Sequence, residues 1–540
     1  MLNLRSVFAI VAAVLVAVPL LASAPLFDPD EGLHAAIAQE MVQSGDYVTP
    51  RFLGEPFLDK PILFFWAEAA SLRLFGDTET AVRLPPLLFG LAGMLSVALL
   101  GHALFGEAAG LIGGIVYGTM LLPLGVSQVA VHDVGLVPFM CIAAWCLARL
   151  ALADTPHSWP RVMRFAVLAG VCLGLSILTK GLAGVVFAVI FGACLFVWRP
   201  AAFMPLVIAL TVAAVVAALV AAPWYVAMER AHPGYLHYYF VERHVQGYLT
   251  ATQRHAGRPF WYYVPIVLGG ALPWALHLAG ALRAAPRHRL RLVVWAWFVI
   301  GLAFLSSGES KLVTYALPLF PAAAIGIGEY VHAATVRGER RALGAVLWIH
   351  IALLGVLPIA ALVALQMRYG SVPSLPWLPV SVFALIALDA GRRASRAADQ
   401  RDVVGWLAQA SICSLIAASI VVPRAASWMT AKDLAAALNA SGTLPPRVSV
   451  VDERIGSLVF YLDPRLRADA TPDRVAAASF ADAIPRARHD PEDALIAVRN
   501  DRLPQFNRLF AQPPAPDVRA GTFSVFRAGT LREALAASLR

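Results

Sequence analysis

The segment Phe203-Met-Pro-Leu-Val-Ile-Ala-Leu-Thr-Val-Ala-Ala-Val-Val-Ala-Ala-Leu-Val-Ala-Ala-Pro-Trp-Tyr-Val-Ala227 runs for twenty-five residues without a charge. A helix of that length crosses about 30 Å of hydrocarbon, whereas a soluble core helix is seldom so long or so uniformly apolar. The pattern recurs. Thirteen such runs are read along the chain, at about 5–24, 81–104, 108–127, 132–153, 162–179, 181–198, 203–227, 259–282, 290–307, 311–332, 341–365, 375–390 and 403–422. With 59% hydrophobic and 14% charged residues in 540, the composition excludes an ordinary soluble enzyme and predicts an α-helical polytopic membrane protein.

Arginines fall in alternate loops: Arg149, Arg161 and Arg164; Arg283, Arg287, Arg289 and Arg291; Arg337, Arg340 and Arg341; Arg392, Arg393, Arg396 and Arg401. Positive residues beside spans are retained on the cytoplasmic side. The reading is therefore a multi-pass membrane protein with a cytoplasmic N-terminus, and with the long loop 25–80, the loop 228–258 and the C-terminal segment outside. Arg5 before an apolar run ending Ala22-Ser23-Ala24 also has the form of a cleavable signal peptide, but the loop charges are better matched if this helix is kept. The net charge of +9 is then an orientation signal and speaks for membrane lipids as partners, with no nucleic acid. All five cysteines lie inside the expected spans, which excludes a secreted-type disulfide framework or a zinc ribbon.

Two regions differ from the bundle. In loop 25–80, stretches 31–43 and 61–75 have helical apolar spacing and predict helices lying along the interface. From about 430 the composition becomes that of a soluble domain, with strand-like runs Val448–Val451, Leu458–Leu462, Leu495–Val498 and Phe523–Phe526. The domain plan is 1–425 for the membrane unit and 430–540 for a small outer α/β domain.

Chemistry-bearing residues gather at span ends. Leu26-Phe-Asp28-Pro-Asp30-Glu31-Gly-Leu-His34-Ala35 places three carboxylates directly after the first span. Capping the positive end of a helix accounts for one or two of them. Asp30 is read as functional, with Asp28 and Glu31 as its neighbours. Further along the same loop stands Leu58-Asp59-Lys60-Pro61. Ser310-Lys311-Leu-Val-Thr-Tyr315 opens a later span with a cation and a phenol, suited either to a phosphate at the interface or to simple anchoring there. The loop from His232 to Arg258 mixes His244, Arg243 and Arg258 with many tyrosines, a set that suits a sugar. Val131-His132-Asp133 puts an acid at the outward start of a span, where an ionisable side chain is a candidate by default. Among 43 basic residues only Lys60, Lys180, Lys311 and Lys432 are lysines, and all four fall on the outer side, as if a compact ammonium were required there. A metal site built from His244 with Asp59 or Glu31 matches no zinc spacing signature.

Several linked stretches resemble the GT-C membrane glycosyltransferases, in the branch of the lipid A aminoarabinose transferases and the protein O-mannosyltransferases. They are Asp30-Glu31, Gly45-Asp46-Tyr-Val-Thr-Pro-Arg51, Gly54-Glu-Pro-Phe-Leu-Asp59-Lys60-Pro61, Ala81-Val-Arg83-Leu-Pro85, Thr179-Lys180-Gly181 and Ser310 to Pro321, covering most of 20–330. The resemblance implies about this many spans, interfacial helices, and a periplasmic C-terminal domain. It implies an inverting transfer of a sugar from a polyprenyl (undecaprenyl) phosphate carrier to a lipid acceptor such as lipid A. Asp30 and Asp133 take the catalytic positions. Lys60, Lys311, Tyr315 and Arg83 are placed at the donor phosphate, and Glu31, His34, Asp59, His244 and Arg258 at the substrates. No cofactor is required for such a displacement, and a divalent metal at Asp59 and His244 is the one addition the resemblance suggests. Departures occur at Leu33 and His34, where the family often has Arg and Tyr, and at Asp59, where it often has Glu. The rival readings are protein O-glycosylation and a flippase for a polyprenyl-linked sugar. The flippase calls for ionisable groups deep within spans, which are scarce in this chain.

Overall fold

The computed structural model describes residues 24–153, 158–250, 257–337 apart from 273, 286 and 287, isolated positions between 359 and 392, and 426–537. The chain leaves its first described residues through helix α1 (Asp30–Ser44), ended by Gly45 in the left-handed conformation, and α2 (Leu63–Phe75). Between them a two-residue antiparallel ladder pairs β1 (Arg51–Phe52) with β2 (Glu55–Pro56). The two interfacial helices expected at 31–43 and 61–75 are thus present.

The bundle follows as α3 (Glu79–Phe105), α4 (Glu107–Thr119), α5 (Leu121–Val126), α6 (Asp133–Ala151), α7 (Trp159–Lys180), α8 (Ala183–Trp198), α9 (Phe203–Ala231), α10 (Tyr263–Gly270), α11 (Ala275–Ala284), α12 (Arg289–Ser307) and α13 (Phe320–Val336). A π-helical segment, His237–Gln246, lies between α9 and α10. Thr78 caps α3 by accepting the Ala81 N–H at 3.1 Å. Six helices among the described residues are long and apolar enough to cross a membrane, or seven if the bent pair α10–α11 is one span. They meet the expected runs at 81–104, 132–153, 162–179, 203–227, 290–307 and 311–332. The side of α9 carrying Val207, Val215, Leu219 and Val226 is exposed, as a lipid-facing surface would be.

Three expected spans take another form. The run 108–127 is broken at Met120, whose extended backbone separates α4 from α5; Pro123 then falls in the first turn of the new helix, where its missing N–H forfeits no hydrogen bond. The run 181–198 yields the sixteen-residue α8, shorter than a full crossing. The run 259–282 bends by 108° between α10 and α11. The runs at 5–24, 341–365, 375–390 and 403–422 lie outside the continuously described residues.

Beyond 426 a five-stranded sheet has the order β4-β3-β5-β7-β6. The strands are β3 (Val448–Val451), β4 (Val475–Ala478), β5 (Leu495–Arg499), β6 (Val518–Ala520) and β7 (Phe523–Arg527). β3, β4 and β5 run parallel through helical crossovers, and β7 is antiparallel to β5 and β6. The run Leu458–Leu462, expected as a strand, belongs to helix α15 (Gly456–Tyr461), which follows α14 (Lys432–Ser441). A short apolar run reads the same whether buried as strand or helix, and burial against α1 decides it.

Candidate active site

The three carboxylates after the first expected span have three different fates. Glu31 is fully buried and takes a two-point grip from Arg83 on α3, Nε to Oε1 at 2.8 Å and Nη2 to Oε2 at 2.7 Å. The remaining guanidinium donors reach the carbonyls of Ala24 at 2.6 Å and Pro25 at 3.1 Å. Planar, multi-donor geometry of this kind is what selects arginine at a buried carboxylate. Asp28, 8% exposed, is held by the far end of the chain: it accepts the Ser457 N–H at 3.0 Å and the Ser457 hydroxyl. Burial pushes its carboxyl up to about 7, although the Ser457 hydrogen bonds pull the other way. Asp30, the first residue of α1, is exposed and has no hydrogen-bond or ion-pair partner among the described residues. It is the one of the three carboxylates left without a side-chain contact among the described residues.

Four residues on, and therefore on the same face of α1, stands His34. Its Nδ1 donates to the Ala130 carbonyl at 2.8 Å, which leaves Nε2 as an acceptor. The ring lies edge-on to His132 at 4.6 Å, and burial lowers the pKa of His34 while the charges of Asp30, Lys60 and Asp133 all act on it. Lys60 is half-buried and makes no hydrogen bond or ion pair among the described residues. Its charge also bears on His244, whose pKa burial again lowers. Asp133, opening α6, pairs with Lys180 at the end of α7, and that ammonium lies 4.4 Å from the centre of the Tyr315 ring. The next residue, Gly181, has φ +71°, and a Cβ on it would sit 2.4 Å from His244 Nε2. Lysine and glycine in Thr179-Lys180-Gly181 thus serve separate purposes, one holding Asp133 and the other admitting His244.

The expected site residues consequently divide. Asp30, His34, Lys60, Asp133, Tyr315 and His244 gather around the ends of α1, α6 and α7. Arg83 and Glu31, expected at the donor phosphate and at substrate, are instead engaged with each other in the interior. Lys311 is 4% exposed and turns its ammonium to the carbonyls of Gly308 and Arg258. Arg258 is exposed and lies over the Tyr262 ring at 5.4 Å. Asp59 accepts from Tyr238 Oη at 2.6 Å and from Arg243 Nη2 at 2.9 Å, while His244 donates Nδ1–H to the Tyr239 carbonyl at 2.7 Å. With an arginine already on Asp59, and no group of three or more His, Cys, Asp or Glu side chains converging among the described residues, the pair does not fit a metal centre. Sequence reasoning noted Lys180 and His132 but placed neither in the site. The available signal was a lone lysine ending one span and an acid opening another.

The chain is similar to known proteins in sequence and in fold. Residues 59–226 match the family model described as dolichyl-phosphate-mannose-protein mannosyltransferase. The chain is 33% identical over 353 residues to the undecaprenyl phosphate-alpha-4-amino-4-deoxy-L-arabinose arabinosyl transferase of Aeromonas salmonicida, covering 64% of this chain and 62% of that protein. The protein of the same name from Erwinia tasmaniensis is 34% identical over 56% of this chain and 54% of its own length. The matched stretch therefore spans about three fifths or less of these relatives. In three dimensions the crystal structure of ArnT from Cupriavidus metallidurans bound to undecaprenyl phosphate superposes with a TM-score of 0.73 at 22% identity, over 97% of this chain and 98% of that one. The archaeal oligosaccharyltransferase AglB from Archaeoglobus fulgidus gives 0.51 at 13% identity, over 97% and 74%. The resemblance read from the linked motifs is thus borne out, and the chain shares the fold of ArnT over nearly its whole length.

Proposed function

We propose that this protein is an inverting glycosyltransferase that moves a sugar from a polyprenyl phosphate carrier to a lipid acceptor such as lipid A. The observation that carries the reading is an Asp30 carboxylate and a Lys60 ammonium that both act on His34 and that make no hydrogen bond or ion pair among the described residues, in a fold whose solved relative holds undecaprenyl phosphate. Asp30 accepts the proton of the acceptor oxygen as that oxygen attacks the anomeric carbon. The bond from that carbon to the carrier phosphate breaks, and Lys60 stabilises the charge on the departing phosphate. Asp133 and Lys180 neutralise one another and fix the Tyr315 ring at the side of the site. One direct displacement inverts the anomeric centre.

The membrane arrangement belongs to the same proposal: thirteen spans, a cytoplasmic N-terminus, and the 430–540 domain in the periplasm of a cell with an inner membrane. A reporter that is active only in the cytoplasm, fused after Arg540, is expected to be silent; activity there would reverse the side on which every named residue lies. The second reading is transfer to protein, which rests on the name of the family model. Purified protein supplied with undecaprenyl phosphate-aminoarabinose and lipid A in detergent should yield lipid A heavier by one sugar, read by mass spectrometry. Labelled protein in place of labelled lipid, from the same donor, would favour the second reading.

Lys60 can be tested as a phosphate ligand. A lysine that only anchors the loop tolerates arginine, whereas one that meets a phosphate in a confined pocket does not. Lys60→Arg should raise the donor KM or lower turnover. Lys60→Met should cost more, about 2–3 kcal/mol for a lost charge-assisted hydrogen bond. A donor titration in which both variants match the parent would assign the phosphate to another group.

A further inference from the structure

The far end of the chain reaches the residues next to Asp30. α15 lies against α1 so closely that a Cβ on Gly32 would fall 2.4 Å from the Ser457 nitrogen, and one on Gly456 would fall 2.3 Å from the Leu33 nitrogen. Two glycines facing one another permit this contact. Around it, Leu26 N–H donates to Tyr461 Oη at 2.7 Å, Asp28 N–H to the Met429 carbonyl at 2.8 Å, and Gln39 Nε2 to the Phe460 carbonyl at 3.3 Å. Tyr461 in turn donates to Glu79 on α3 at 3.0 Å, and Lys432 pairs with the same carboxylate at 2.6 Å. Ser457 is at the centre, fully buried, its hydroxyl donating to Asp28 while it accepts the Ala431 N–H at 2.9 Å. Arg83, from α3, holds Glu31 and the carbonyls of Ala24 and Pro25. Asp30 is therefore carried by a short segment gripped at Asp28 by the C-terminal domain and at Glu31 by the membrane bundle.

We propose that Ser457 is a positioning residue for sugar transfer: by clamping Asp28 it sets where the Asp30 carboxylate stands, so the C-terminal domain is a working part of the catalytic centre. This rests on the glycosyltransferase reading above. A clamp of this kind acts on the alignment of the base and leaves the carrier phosphate with its own ligands, so its loss should fall on kcat and spare the donor KM.

The test uses the full chain in detergent with undecaprenyl phosphate-aminoarabinose and lipid A. The variants are Ser457→Ala, Asp28→Ala, Asp28→Asn and the double alanine, with amide hydrogen exchange of peptides covering 26–34 measured alongside. Ser457→Ala is expected to lower kcat by about tenfold or more, because sub-ångström alignment is at stake, with donor KM within about twofold of the parent. The double alanine should be no slower than Asp28→Ala, since both break one clamp. Asp28→Asn, which keeps an acceptor for the Ser457 N–H, should recover most of the loss. Exchange across 26–34 should quicken in the alanine variants and not in Asp28→Asn. A parent that transfers sugar, with the alanine variants turning over at its rate, overturns the positioning role. So does a change confined to donor KM. A parent that transfers nothing defeats the glycosyltransferase reading itself, and the positioning role with it.

Discussion

Replacing Asp30 with asparagine is expected to cut sugar transfer at least about a hundredfold, the low end for losing a positioned general base, while the protein still inserts and folds. The second half of the expectation comes from the structure. Asp30 is exposed and makes no hydrogen bond or ion pair among the described residues, so the substitution removes a proton acceptor and no structural contact. Helix α1 starts there without a side-chain cap from its preceding residue, and asparagine at its first position adds little strain. The measurement is turnover of purified Asp30→Asn beside parent protein with the same melting curve. Parent-level turnover would remove Asp30 from the mechanism and make Asp133 the next acid to test.

One residue later the expected effect is on stability. Glu31→Gln leaves the Arg83 guanidinium buried without its counter-charge, and breaking such a pair by removing one partner costs about 3–5 kcal/mol. Arg83→Met should be comparably damaging, since it strands the fully buried Glu31. The double variant Glu31→Gln with Arg83→Met removes both charges and should recover part of the loss. Melting in detergent followed by tryptophan fluorescence reports all three. Glu31→Gln that melts with the parent would show that the pair contributes nothing to the folded state. The contrast between adjacent acids is sharp: one substitution should silence a folded enzyme and the other should unfold it.

The membrane class of this chain was legible because uncharged runs such as 203–227 admit few alternatives, and the interfacial helices were legible because 31–43 and 61–75 keep a helical period. Strands β3, β5 and β7 were legible from their branched and aromatic residues. The alanine-rich Val475–Ala478 was not, since alanine favours neither the strand nor its burial. In the site, sequence identified the group of acids but could not rank them. What separates Glu31 from Asp30 is Arg83, 52 residues away, and what separates Asp28 is Ser457, 429 residues away. Neither partnership leaves a local pattern. The contacts of Arg83 and Lys311 were illegible for a related reason: a cation at a span end has the same sequence signature whether it faces a ligand, a buried carboxylate or a backbone carbonyl.

The contact between Asp28 and Ser457 joins positions 429 residues apart, and this fixes an order of events during biosynthesis. A ribosome makes α1 long before it makes residue 457, so α1 must wait, with its glycine face uncovered, until the segment carrying α15 has been made and folded. Closing so long a loop is entropically slow, and it happens only after the intervening spans have inserted. Chains interrupted by premature termination or proteolysis downstream of the bundle would then carry every residue of Asp30-Glu31, Lys60 and Asp133 and still lack a finished centre. Unfinished copies would be kept from acting on the membrane's lipid-linked sugars by their own incompleteness.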